Sequence, residues 1–131
     1  MKLLDSDTCI GILRGQEGVL QRRAAEVDEV ATTWVTASEL FYGAAKSSKP
    51  ELNAAVVARF LHTLPVLEPD LASARLFGEV KARLASAGQL VADADLFIAS
   101  IALSRGATLV TGNLKHYERI VGLGLEDWLR T

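Results

Sequence analysis

Residues Lys2-Leu3-Leu4-Asp5-Ser6-Asp7-Thr8-Cys9-Ile10 decide how the fold is read. Lys2-Leu3-Leu4 is a short buried-type strand that ends on the carboxylate of Asp5. Asp7-Thr8 then caps a helical stretch carrying Ile10 and Leu13, which Gly15 breaks. On this reading Asp7 is better placed than Asp5 to be the helix N-cap, and Asp5 is left without an obvious structural task in an apolar run. A strand that runs straight into a helix is the first half of a parallel crossover unit.

The same alternation recurs outward along the chain. An amphipathic piece from about Gly18 to Val27 places Val19, Leu20, Ala24 and Val27 on one face. Ala31-Thr32-Thr33-Trp34-Val35 is β-branched and aromatic, a second strand. Thr36-Ala37-Ser38-Glu39 follows it with the capping-box pattern and opens a helix through Leu40, Phe41 and Ala44. Pro50 starts a helix with Leu52, Val56, Val57, Phe60, Leu61 and Leu64 at helical spacing, stopped by Pro65. Val66-Leu67-Glu68 reads as a short strand. Asp70 caps a long helix ended by Gly88, and Asp93-Ala94-Asp95 opens a nearly all-apolar helix through Leu103 that belongs in the centre of the molecule. Ala107 to Thr111 is a last clear strand, closed by Gly112-Asn113, and Val121 to Leu129 forms a final short segment ending near Trp128. Strands alternating with helical crossovers give a mostly parallel sheet between two helical layers, an α/β/α sandwich. One domain over residues 1–131 is expected, with no repeat and no linker.

Composition narrows the chemistry. Half of the 131 residues are hydrophobic, enough for one core. No apolar run approaches the roughly 18 residues of a membrane span, and the start meets a charge too early for a secretory signal, so a cytoplasmic protein is expected. Cys9 is alone and reads as core filler, His62 as a helix-face residue and His116 as a surface residue. Without a Cys/His cluster, a metal site in this chain must be built from oxygen. The net charge of -2 argues against broad coating of nucleic acid. It still allows a local basic rim from residues such as Arg14, Lys46, Lys81, Lys115 and Arg119.

In open parallel sheets the ligand site lies off the carboxyl ends of the strands. Asp5 ends the first strand, Glu39 follows the second, Asn113 follows the last, and Asp95 starts the central helix. Two readings of each remain open. Asp5 is either a turn acceptor or a ligand. Glu39 either returns to the backbone of Thr36 or holds a cation. Of Asp93 and Asp95 one suffices as a cap, and the other is surplus charge that a shared cation would satisfy. Gly112-Asn113 is either an ordinary turn or part of the site. Three carboxylates and an amide oxygen suit Mg²⁺ or Mn²⁺, which supports phosphodiester hydrolysis. Acyl transfer, kinase and hydride chemistry lack their residues.

Four blocks carry a resemblance: Leu3 to Ile10, Thr36 to Ala44, Asp93-Ala94-Asp95-Leu96-Phe97-Ile98-Ala99, and Leu109-Val110-Thr111-Gly112-Asn113. In order and spacing the chain resembles the PIN-domain toxins of the VapC type. The resemblance implies an α/β/α PIN fold, usually homodimeric, that cleaves tRNA or rRNA with Mg²⁺ or Mn²⁺ and arrests translation. A VapB-type antitoxin would block the site and bring DNA only indirectly. It also implies that Asp5, Glu39 and Asp95 are the catalytic metal carboxylates, with Asp93 as an additional acidic neighbour and Asp7 and Thr111 supporting the site through hydrogen bonds. Asn113 matches a fourth position where many PIN domains carry Asp, and the amide leaves a one-metal mechanism open. The dimer surface is expected along the helix from Pro50 to Leu64 and its neighbour. The rival readings are a non-catalytic binding component that acts through complex assembly and transcriptional repression, and a small-molecule phosphohydrolase.

Overall fold

The computed structural model describes residues 1–130. The elements in chain order are β1 (Lys2–Leu4), α1 (Ser6–Leu13), α2 (Glu17–Ala25), β2 (Val30–Thr33), α3 (Trp34–Ala45), α4 (Pro50–Leu61), β3 (Val66–Leu67), α5 (Leu71–Ser86), α6 (Asp93–Arg105), β4 (Thr108–Val110), α7 (Leu114–Tyr117) and β5 (Gly124–Glu126). The strands form one sheet in the order β3-β2-β1-β4-β5, and every pairing is parallel. Helices cover both faces, as a parallel sheet requires.

The central strands are short and almost wholly buried, with Leu3, Leu4, Ala31, Leu109 and Val110 inaccessible to solvent. On one side Leu4, Cys9, Leu40, Val57 and Trp128 pack together. On the other, Val80, Leu84, Leu96, Ile98 and Tyr117 do so. The helix α6 is buried along most of its circumference and ends at Gly106, whose φ of 61° turns the chain back into β4. A side chain is strained in that left-handed region, which is why glycine occupies it.

Three local expectations are corrected. The N-cap of α1 is Asp5, not Asp7: Asp5 is extended and its own carboxylate accepts from Ser6 N at 2.8 Å. Strand β2 ends at Thr33, and Trp34 and Val35 are already helical, because Thr33 Oγ1 accepts from Thr36 N at 3.1 Å and so caps the helix earlier. Thr36 and Glu39 therefore form no capping box. In α2 the shared apolar face fails, since Val19 is buried while Leu20 is 40% and Val27 99% exposed, the helix ending at Ala25 before Val27 is reached. The N-cap expected for α5 is present: Asp70 Oδ1 accepts from Ser73 N, and Ser73 Oγ accepts from Asp70 N, each at 2.9 Å.

Candidate active site

The parallel registry sets Leu4 between Thr32 and Val110, so β1 and β4 end at one level, β2 runs one residue further, and their following residues emerge at one edge. Asp5 is the first of these. Its backbone N–H donates to Val110 O at 2.9 Å, and its carboxylate takes Ser6 N on one oxygen and Thr111 Oγ1, at 2.9 Å, on the other. Thr111 Oγ1 in turn accepts from Asn113 N at 3.1 Å. Asp5 is 8% exposed, and burial, reinforced by the charges of Asp7 and Asp95, pushes its carboxyl up to about 6. The Ser6 and Thr111 donors oppose that rise and keep the ionised form accessible.

Asp95 lies in the first turn of α6, where the helix dipole favours a negative side chain. Both of its oxygens are held: Tyr117 donates its hydroxyl to Oδ1 at 3.2 Å, and His116 Nε2 lies 2.9 Å from Oδ2. Tyr117 is fully buried. Its burial and the charges of Asp5 and Asp95 push the phenol well above its ordinary range, so it stays protonated as a donor to Asp95. His116 and Tyr117 carried no functional signal in the sequence. The one available hint was their position, three and four residues after Asn113 on a short helix that starts at the strand ends.

Glu39 lies within α3 and is exposed, and one of its oxygens accepts from Ser6 Oγ at 2.7 Å. Ser6 thus links Glu39 to Asp5, its neighbour in the chain. Asp7 supports the edge from the other side, with Oδ1 accepting from Thr8 N at 2.7 Å and Oδ2 from Gly112 N at 2.8 Å. Asn113 is exposed at the start of α7, and its side chain makes no capping hydrogen bond. Asp93 is not brought to this group: its carboxylate, 58% exposed, pairs with Lys81 Nζ at 2.9 Å.

Asp5 and Asp95 thus share one electrostatic field, which also acts on Tyr117, and Ser6 ties Glu39 to Asp5. Among the described residues, no three acidic, His or Cys side chains close on a single point as a ready-made cage. The donor set is nonetheless one for a hard cation: two held carboxylates, both lying near further negative charge, and a third carboxylate on the exposed rim. From Ser6 and Glu39 a cleft of about 670 Å³ runs between α1, α3 and α4, with Arg14, Lys46 and Asn53 as its polar lining and Ile10 and Val56 among its apolar walls. A second, apolar hollow between α3 and α6 lies on the other side of Glu39, bordered by Trp34, Tyr42 and Phe97. No helix among the described residues is long and apolar enough to cross a membrane.

Residues 2–121 match the PIN domain family. The chain is 40% identical over 127 residues to the tRNA(fMet)-specific endonuclease VapC of Salmonella typhimurium, covering 96% of each chain. It is 35% identical over 128 residues to ribonuclease VapC2 of Haemophilus influenzae, covering 97% of each. Its fold superposes with a TM-score of 0.91, at 30% identity over 97% of this chain and 98% of the other, on the crystal structure of VapBC2 from Rickettsia felis bound to a DNA fragment from their promoter. With the carboxylate edge, the all-parallel sheet and near-complete coverage in agreement, the chain belongs to the PIN domain family, among its VapC ribonucleases.

Proposed function

We propose that this chain is a divalent-metal-dependent endoribonuclease toxin that cuts tRNA or rRNA, that Asp5, Asp95 and Glu39 form its active centre, and that a VapB-type antitoxin restrains it. The observation that carries the reading is the gathering of Asp5 and Asp95 near the strand ends, each carboxylate fixed by two partners and both charges acting on the buried Tyr117 phenol, which donates to Asp95. Carboxylates that serve only the fold are rarely gathered at such electrostatic cost.

When bound by Asp5 and Asp95 with Glu39 at the rim, Mg²⁺ or Mn²⁺ would neutralise phosphate charge and make the attacking water more acidic. The protein's own part is preorganisation. Ser6 N–H and Thr111 hold Asp5 in one rotamer, and His116 with Tyr117 hold Asp95, so little reorganisation is left for the reaction itself. Glu39, oriented by Ser6 and open to solvent, has its second oxygen available to accept a proton from water at the scissile phosphate. Arg14 and Lys46 line the adjoining cleft and supply cations for the flanking RNA phosphates. Asn113 stands at the same edge as a neutral oxygen donor, compatible with one ion.

The antitoxin part of the reading rests on the similarity to the VapBC2 structure from Rickettsia felis, and exposed apolar surface at Trp34, Tyr42, Val56 and Phe97 offers room for a partner or a second copy of the chain. Purified antitoxin-free protein incubated with total RNA tests the core of the reading. Discrete cleavage products are expected in Mg²⁺ or Mn²⁺ and none in EDTA. Intact RNA under every metal condition, with a folded protein, would favour a binding component that acts only through assembly. Turnover of simple phosphate esters but not of RNA would favour a phosphohydrolase.

A further inference from the structure

The loop between β4 and α7 carries Thr111 and leads to His116 and Tyr117, yet its middle residue, Gly112, has no side chain with which to anchor it. Its peptide groups are held by others instead. Gly112 N donates to Asp7 Oδ2 at 2.8 Å, and Gly112 O accepts from Arg130 Nη1 at 2.8 Å. The same Arg130 nitrogen lies 2.7 Å from Asp127 Oδ2, while Asp127 Oδ1 accepts from Leu129 N at 2.8 Å and Arg130 N at 3.3 Å. Trp128, 1% exposed and bonded through Nε1 to Glu126, roots this C-terminal turn in the core. Leu129 lies so close over Gly112 that a Cβ there would come within 2.7 Å of its Cδ1 and within 2.9 Å of Asp7 Oδ2.

From this we infer that Arg130, set by Asp127, is a positioning residue for the reaction: it clamps Gly112 and so fixes the loop that presents Thr111 to Asp5. The inference rests on the ribonuclease reading above for its kinetic consequence and on the structure alone for the clamp. The Arg130 side chain is 73% exposed, so its bonds add little to global stability. Their leverage is geometric. The Thr111 hydroxyl sits one residue before the clamped peptide, and a displacement of about 1 Å at a preorganised site is enough to cost up to roughly 100-fold in rate. An exposed arginine near an RNA-cutting site has an obvious competing role as a phosphate contact, and the two roles separate kinetically. A clamp acts on kcat, whereas a phosphate contact acts on KM and on the salt dependence of binding.

The experiment compares full-length wild type, Arg130→Met and Arg130→Lys. Measured quantities are kcat and KM on an RNA oligonucleotide in Mg²⁺, hydrogen exchange of the Gly112 amide, and the melting temperature. For Arg130→Met we expect kcat to fall by about 10-fold or more with KM within about 2-fold of wild type. We also expect Gly112 exchange to accelerate and the melting temperature to hold. Arg130→Lys, which keeps a donor for both Gly112 O and Asp127, should recover most of the loss. A raised KM at unchanged kcat, or wild-type exchange at Gly112, overturns the clamp. If the wild type itself cuts no RNA, the functional reading fails, and the exchange rates still decide whether Arg130 holds the loop.

Discussion

The hydroxyl of Thr111 donates to Asp5 Oδ2 at 2.9 Å, joining residues 106 positions apart in the chain at the one edge where β1 and β4 both end. This bond opposes the rise that burial and the Asp7 and Asp95 charges impose on Asp5, whose carboxyl lies at about 6 against an ordinary 3.8.

The sign of that shift gives the first prediction. In the metal-free protein the native state binds the Asp5 proton more tightly than the unfolded chain does, so stability falls as pH rises between about 4 and 6, and the penalty is complete above 6. Its ceiling is roughly 3 kcal/mol. Asp5→Asn keeps an acceptor for Ser6 or Thr111 and carries no charge. In EDTA it should be more stable than wild type at pH 8 and no different near pH 3.5, while cleaving no RNA in Mg²⁺. Urea midpoints at the two pH values measure this, and equal midpoints at pH 8 would refute it.

Glu39 gives a second. Among the described residues its carboxylate caps no helix and accepts one hydrogen bond, from Ser6 Oγ on the exposed side. Glu39→Gln should leave the thermal midpoint nearly unchanged and reduce metal-dependent turnover by about 100-fold or more, the scale of general acid–base contributions. Ser6→Ala should reduce turnover less, since Glu39 remains but is no longer oriented. A Glu39→Gln protein that is destabilised yet fully active would return the residue to a structural role.

A third concerns the donors around Asp95. Tyr117→Phe removes only an oxygen from a fully buried ring, and His116→Ala removes the partner of Oδ2. Partners of this kind typically change metal affinity by 10- to 100-fold. Titration with Mn²⁺, followed by its paramagnetic resonance signal, should show weakened binding in both variants without loss of fold. Asp95→Asn should bind weakest of the three. Unaltered affinity in Tyr117→Phe would separate the phenol from the site.

The cleft beside Glu39 gives a fourth. Arg14→Ala and Lys46→Ala should raise KM for RNA and each reduce the salt slope of binding by about 1, with kcat little changed. Binding measured over a range of KCl concentrations checks it. Slopes identical to wild type would place the RNA elsewhere.

Much of the site was legible as residue types. Asp5, Glu39 and Asp95 stand out as carboxylates beside strand ends and helix starts, and in the structure Ser6 bonds to both Asp5 and Glu39 while the charges of Asp5 and Asp95 act on the same Tyr117. Their local roles were misread because caps compete within a few residues. Asp5 and Asp7 are equally good cap types, and which one caps depends on where β1 releases the chain. Thr33 and Thr36 pose the same choice for α3, and a one-turn difference moves Glu39 from a cap to the rim of a cleft. His116 read as a surface residue because nothing in its neighbours in the chain reveals that Asp95, 21 residues earlier, lies beside it. Asp93 and Asp95 look alike in sequence, yet two positions apart on a helix they face different ways, one toward Lys81 and the other toward Tyr117.

By itself the sequence determined the order and type of most elements, α7 and the last strand excepted, and the parallel sheet they imply, because periodicity, turn residues and residue type act over a few neighbours and need no partner. Only the tertiary structure decided which carboxylates share a field, which hydroxyls hold them and which peptide Arg130 grips. Those relations depend on strand registry and helix rotation, which are fixed when the whole core packs and are written in no single segment of the chain.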